Sequence, residues 1–206
     1  MLARLVLPML LLLLSALPAW AVTFDRCEKT EIGVVSDSLK AAQKLAVTAA
    51  VVIGNTAEYD RWFGRYTTVN AEVVRANFKS INRALQSDQV HIICPNDGED
   101  GCKGDTFAYV YADQPYSIYL CPSFFGMPIL ASMDAGTDSF DTGTREGTII
   151  HEISHFEVVA GTEDECYTRI ICTDMARTGP HLAISNADSY QYYSEDVALN
   201  PELAGN

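Results

Sequence analysis

The spacing of apolar positions divides the chain into a helical first part, a strand-rich middle and a helical end. Over residues 36–53, Leu39, Ala42, Leu45, Ala46, Ala49 and Val52 recur at the intervals of one helix face, which predicts a long buried helix opened by Ser36 or Asp37. A short helix is expected over residues 57–63 behind Thr56. A third is expected over residues 71–85 behind Asn70, with Val74, Phe78, Ile81 and Leu85 as its stripe. Strand character follows at residues 90–94, 106–111 and 117–121, rich in branched and aromatic side chains, with residues 112–116 as a hairpin loop.

Between the first two strands, residues 95–105 are rich in Gly and Asp, as calcium loops are. They lack the regular ligand spacing and closing Glu of an EF-hand, so they read as a solvated loop. The same reading covers Asp134, Asp138 and Asp141 in the next Gly/Thr/Ser-rich stretch. A further helix is expected from Thr142 or Thr144 through Ile149, Ile150, Ile153 and Phe156 to Gly161. Thr162 and Glu165 then have the spacing of a capping box, which predicts a fresh helix start, and residues 187–197 read as a last helix. Helices, a small sheet and helices again make a mainly helical α+β domain.

The first residues change the picture of where this domain works. Arg4, an apolar run over residues 5–17, Pro18 and the triplet Ala19, Trp20, Ala21 have the three parts of a signal peptide. The run is shorter than the roughly 20 apolar residues of a membrane span. Residues 1–21 are therefore expected to be removed, leaving one domain over residues 22–206, secreted to the medium or the periplasm and not held in a membrane. All six cysteines lie beyond that point, and in an exported chain three disulfides are the expectation, with connectivity open. The formal net charge is −13, or −14 once Arg4 is lost, which disfavours nucleic-acid binding and suits cationic partners or simple solubility.

The chemistry lies in His151-Glu152-Ile153-Ser154-His155, an H-E-x-x-H motif inside an apolar helical pattern. Residues four apart share a helix face, so the two imidazoles can grip one zinc ion at roughly 2.0–2.1 Å. Glu152 then stands beside the metal, where it can take a proton from water. Asp164 follows nine residues after His155, within Gly161-Thr162-Glu163-Asp164-Glu165-Cys166-Tyr167.

These two motifs resemble the aspzincin family, the deuterolysin and peptidyl-Lys metalloendopeptidase group, whose signature is H-E-x-x-H followed by G-T-x-D-x-x-Y. The resemblance implies a zincin-like secreted metalloendopeptidase with one zinc ion held by His151, His155 and Asp164. It also implies that Glu152 is the general base and that Tyr167 steadies the oxyanion, and helical spacing would put Tyr167 on the same side as Asp164 one turn later. It extends to Ala108-Tyr109-Val110-Tyr111 and Tyr119-Leu120-Cys121, like the family's sheet, and to Asn186-Ala187-Asp188-Ser189-Tyr190, like its last helix. That last segment resembles the one supplying an acidic specificity residue in the Lys-selective branch, so Asp188 is the expected receiver of a substrate Lys. The competing reading is that Asp188 caps the last helix.

The family pattern suggests Cys27 with Cys94 and Cys102 with Cys121, leaving Cys166 with Cys172. On a continuous helix that last pair would be about 9 Å apart along the axis, beyond disulfide reach, so either the helix breaks or the thiols pair otherwise. Thr168 departs from the Gly common after the motif Tyr. Cys27 follows the expected cleavage point so closely that no inhibitory segment is expected before the domain. The expected substrate is a polypeptide, basic in character, lying extended along an edge of the strands at 106–111 or 117–121, and the enzyme is expected to be monomeric. Competing functions are amide hydrolysis of a cell-wall or other non-protein polymer, and a zinc-binding toxin or inhibitor module, against which an intact Glu152 argues.

Overall fold

The structure, a computed structural model, describes residues 22–99, 101–133 and 143–200, so the expected leader and Asp134, Asp138 and Asp141 lie outside the described residues. Helix α1 (Lys29–Val52) is the central rod, burying Val35, Leu39, Ala42, Leu45, Ala46 and Ala49. Its alanines let α3 (Thr68–Leu85), α4 (Arg145–His155) and α7 (Ala187–Leu199) pack closely around it. It begins well before Ser36, at Glu28, whose N–H donates to the Glu31 carboxylate at 2.7 Å. The first turns are mostly solvent-facing, so they carry little of the apolar repeat that marks the rest. Helix α3 likewise starts earlier than expected: Thr67, not Asn70, is the cap, and its hydroxyl accepts the Asn70 N–H at 3.1 Å. Helix α2 (Ala57–Phe63) lies where the pattern puts it, with Thr56 as its cap.

The sheet has the order β1-β2-β4-β3. β2 (His91–Ile93) pairs in parallel with β4 (Ser117–Leu120), which pairs antiparallel with β3 (Ala108–Val110) as the hairpin pattern predicts. Cross-strand partners Tyr109 and Tyr119 stack with ring centroids 4.6 Å apart. The strand β1 (Thr23–Asp25), parallel to β2, is too short to announce itself by alternation. β4 is flanked on both sides, so β3 is the strand of the hairpin with a free edge.

After α4 the chain departs from expectation. The helix stops at His155, not near Gly161, and residues 157–160 form a turn whose amides at Val159, Ala160 and Gly161 all point to the Phe156 carbonyl. No helix starts at Thr162; the next, α5 (Arg169–Thr178), opens only after Thr168, followed by the short α6 (Pro180–Ile184). Tyr167 is therefore not one helical turn beyond Asp164, because residues 162–168 are not helical. This break also resolves the cysteine question. Cys166 and Cys172 are disulfide-bonded with Cα atoms 5.4 Å apart, alongside Cys27–Cys94 and Cys102–Cys121.

The start of α5 is anchored to α7 by a buried ion network. Arg169 donates to Asp196 at 2.6 Å and to Glu195 at 2.8 Å, and lies over the Tyr192 ring at 4.5 Å. Trp62 Nε1 donates to the other Asp196 oxygen at 2.8 Å. Glu195 Oε1 accepts both the N–H and the hydroxyl of Thr144 at 2.8 Å, and that hydroxyl caps α4 by accepting the Gly147 N–H. Burial pushes the Glu195 carboxyl up to about 7, against the pull of Arg169. Arg169→Met would leave buried Glu195 without a cation and Asp196 with only Arg61, at 3.8 Å, and the expected cost is about 3–5 kcal/mol, read as a lower urea midpoint.

Candidate metal and catalytic site

Helix α4 brings His151 and His155 to one face, with ring centroids 4.8 Å apart. Each ring is turned by its second nitrogen. His155 Nδ1 donates to the Thr162 carbonyl at 2.8 Å, and His151 Nδ1 meets Asp188 Oδ1 at 2.8 Å. Both Nε2 atoms are thereby presented outward, the orientation that metal-binding imidazoles take from such partners.

Thr162, read from the sequence as a helix opener, instead ties the loop to α4. Its N–H donates to the Ser154 carbonyl at 3.1 Å, its carbonyl orients His155, and its hydroxyl meets Ser154 Oγ at 2.6 Å. Gly161 turns the chain at φ 57°, a conformation that costs Gly little. The Gly-Thr pair thus returns the backbone to the imidazoles. Asp164 Oδ1 arrives 3.2 Å from His151 Nε2 and 3.4 Å from His155 Nε2.

Those separations can be compared with what zinc needs. Four ligands at the usual zinc distances define a tetrahedron with edges of roughly 3.3 Å, and the two separations from Asp164 Oδ1 to the imidazoles are of that size. His151, His155 and Asp164 form one of two candidate ligand clusters among the described residues. In the other, Cys27, Glu31 and Cys94, both sulfurs are committed to a disulfide.

At the same point carboxylates and imidazoles set each other's charge. Burial favours neutral His151, but hydrogen bonds to Asp164 and Asp188 outweigh it and raise the pKa. Asp164 is opposed by burial yet held well below the usual carboxylate range by the two imidazoles. Glu152 is buried, and burial raises its carboxyl, partly offset by His151 and His155. The Tyr167 phenol is raised by desolvation and by its hydrogen bond to Asp164, so it stays protonated and able to donate.

The site opens into a cleft of about 1110 Å³. It is lined by residues of β3, by Thr148, His151, Glu152 and His155 of α4, by residues of the 162–168 segment, and by Asp188, Gln191 and Tyr192 of α7. Asp188 does not cap α7. Its Oδ1 holds His151, and its Oδ2 accepts the Thr168 N–H at 3.1 Å. Thr168 has φ 71°, a left-handed conformation in which Gly is unstrained, which gives a physical reason for Gly after the motif Tyr. In the sequence Thr162 reads as a helix opener and Asn186 as part of the last-helix segment, and not as site residues, since their part in the site is made through contacts between separate loops. The spacing of Thr162 beside an H-E-x-x-H motif was the available signal.

Comparison with known proteins agrees with this geometry. A family model described as "Lysine-specific metallo-endopeptidase" matches residues 48–195. An "Extracellular protease" of Aeromonas hydrophila is 37% identical over 182 residues, covering 86% of this chain and 48% of the relative. A "Peptidyl-Lys metalloendopeptidase" of Pleurotus ostreatus is 33% identical over 88% of this chain and 99% of its own length. The chain thus spans nearly all of the Pleurotus relative and about half the length of the Aeromonas one. A zinc peptidase from Grifola frondosa superposes with a TM-score of 0.70 at 26% identity, covering 84% of this chain and 98% of that one. With both motif segments inside the matched span, the chain belongs to the aspzincin family.

Proposed function

We propose that this chain is a secreted zinc endopeptidase, with zinc held by His151, His155 and Asp164, and that it prefers Lys on the leaving side of the cleaved bond. The observation that carries the metal reading is the approach of one carboxylate oxygen to two Nε2 atoms at tetrahedral-edge distances, in the lining of an open cleft. Zinc bound there supplies a Lewis acid for the peptide carbonyl and lowers the pKa of water.

The chain's own residues do the rest. Ala108–Val110, on the free edge of the sheet and lining the cleft, offer backbone groups to an extended substrate. Glu152, buried and with its pKa raised, takes a proton from the attacking water and passes it to the departing amine. Tyr167, kept protonated, donates to the oxygen on which negative charge develops.

The basic preference rests on charge. Asp105, Glu152, Glu163, Asp164, Glu165 and Asp188 line the cleft, with no Lys or Arg lining it among the described residues. Asp188 lines the cleft and keeps lone pairs beyond its bonds to His151 and to the Thr168 N–H, so a substrate ammonium is its expected further partner. The relatives named for Lys specificity agree with that preference. Secretion is supported by the three disulfides and by the extracellular relative.

Glu152→Gln is expected to keep one zinc per chain and lose peptide hydrolysis; near-normal turnover would show that another group is the base. Tyr167→Phe should lower kcat roughly 10²-fold with KM and zinc content little changed, since one oxyanion donor is removed. Sequencing the fragments of a mixed peptide library should show Lys enriched after the scissile bond. Asp188→Asn, assayed at matched zinc content because it also loosens His151, should cut that enrichment about ten- to hundredfold, the worth of a charge-assisted hydrogen bond. Equal cleavage before all residues would refute the preference.

A further inference from the structure

Residues 162–168 carry Asp164 and Tyr167 but have almost no regular structure of their own. Something else must fix them. On the side facing away from α4, their backbone groups end on the corner between α6 and α7. The Glu163 N–H donates to the Ser185 carbonyl at 2.7 Å, and the Glu163 carbonyl accepts the Ala187 N–H at 3.0 Å. Immediately after Asp164, the N–H groups of Glu165 and Cys166 both donate to one atom, Asn186 Oδ1, at 2.9 and 3.1 Å.

Asn186 is fully buried and occupies the N-cap position of α7, where an Asn side chain ordinarily accepts a helix amide. It makes no such cap bond. Its oxygen is given to the loop instead, and its Nδ2 donates to Ser189 Oγ at 3.3 Å and to Cys172 Sγ at 3.7 Å. The carboxamide is thus held at one end by α7 and α5 and at the other grips the two peptide units after Asp164. A helix has given up its cap to a segment outside it.

We propose that Asn186 is a positioning residue of the metal site, setting the direction from which Asp164 reaches the two imidazoles. The inference rests on the reading of Asp164 as a zinc ligand. A buried amide, that of Cys166, and the part-buried amide of Glu165 lose their acceptor in Asn186→Ala, and the loop must shift to satisfy them. The carboxylate then no longer meets both Nε2 atoms at once. Supporting groups around metal ligands typically change affinity or activity 10- to 100-fold, and a loss of that order is expected here. Asn186→Asp keeps the accepting oxygen and should retain zinc affinity within about threefold, since it removes only the Nδ2 donors and adds an anion near a cation site.

The test measures zinc dissociation constants by competition with a chromogenic chelator on the full chain, with folding checked by circular dichroism. Ile81→Ala, a core change in α3 away from the cleft, supplies the control for lost stability. The expected result is weaker zinc binding in Asn186→Ala, near-native binding in Asn186→Asp and in Ile81→Ala, and an altered visible spectrum of the cobalt-substituted Ala variant. Zinc binding by Asn186→Ala within twofold of the parent overturns the proposal, as does an equal loss in Ile81→Ala. Should Asn186→Ala not fold, Asn186→Asp decides: a folded Asp variant that has lost zinc overturns it, and one that holds zinc supports it. A parent protein that binds no zinc would instead overturn the ligand assignment.

Discussion

A carboxylate oxygen that stands 3.2 and 3.4 Å from two imidazole nitrogens has been delivered across a gap between separate parts of the chain. The imidazoles belong to a buried helix, whose geometry fixes them. The carboxylate belongs to a non-helical segment, which has no such internal geometry. Its position is set by hydrogen bonds at both margins, to Ser154 and His155 of α4 through Thr162, and to the start of α7 through Glu163, Glu165 and Cys166. Because α4 and α7 pack on each other and both on α1, the two margins are rigidly related. The architecture of the helical core therefore sets the separation of the carboxylate from the two imidazoles.

Much of this was legible in the sequence for one reason: the ligand spacing of H-E-x-x-H follows from the pitch of a helix. Residues 36–53 and 57–63 were readable on the same ground, since a buried face repeats with the helix period. What escaped were features set by tertiary context. The opening turns of α1 are largely solvated and leave little periodic trace. Thr162 and Glu165 have a capping-box spacing, yet Thr162 spends its hydroxyl on Ser154, a partner close in space across a turn. Asp188 could be seen as a cap or as a pocket acid, but its bond to His151 depends on how α7 lies against α4.

The same packing has an electrostatic side. Two adjacent acids of α7, Glu195 and Asp196, are held by Arg169 at the head of α5, and Glu195 also reaches the cap of α4. A third acid of that helix, Asp188, orients His151. One helix thus supplies anions to two neighbours, a structural one and a chemical one. It can do so because each carboxylate is matched by a donor, without which burial would neutralise it.

The three disulfides differ in what they constrain. Chain-entropy arguments assign about 4 kcal/mol to closing the 67-residue span between Cys27 and Cys94, but only about 2 kcal/mol to the six-residue span between Cys166 and Cys172. The small ring is the one that adjoins Asp164 and Tyr167 and touches Asn186. Opening it would cost the fold about half as much as opening the large ring, while freeing the segment that carries Asp164 and Tyr167. A melting temperature would register that loss without saying where it fell, and amide exchange at Glu165 and Cys166 is the probe that reads the segment itself.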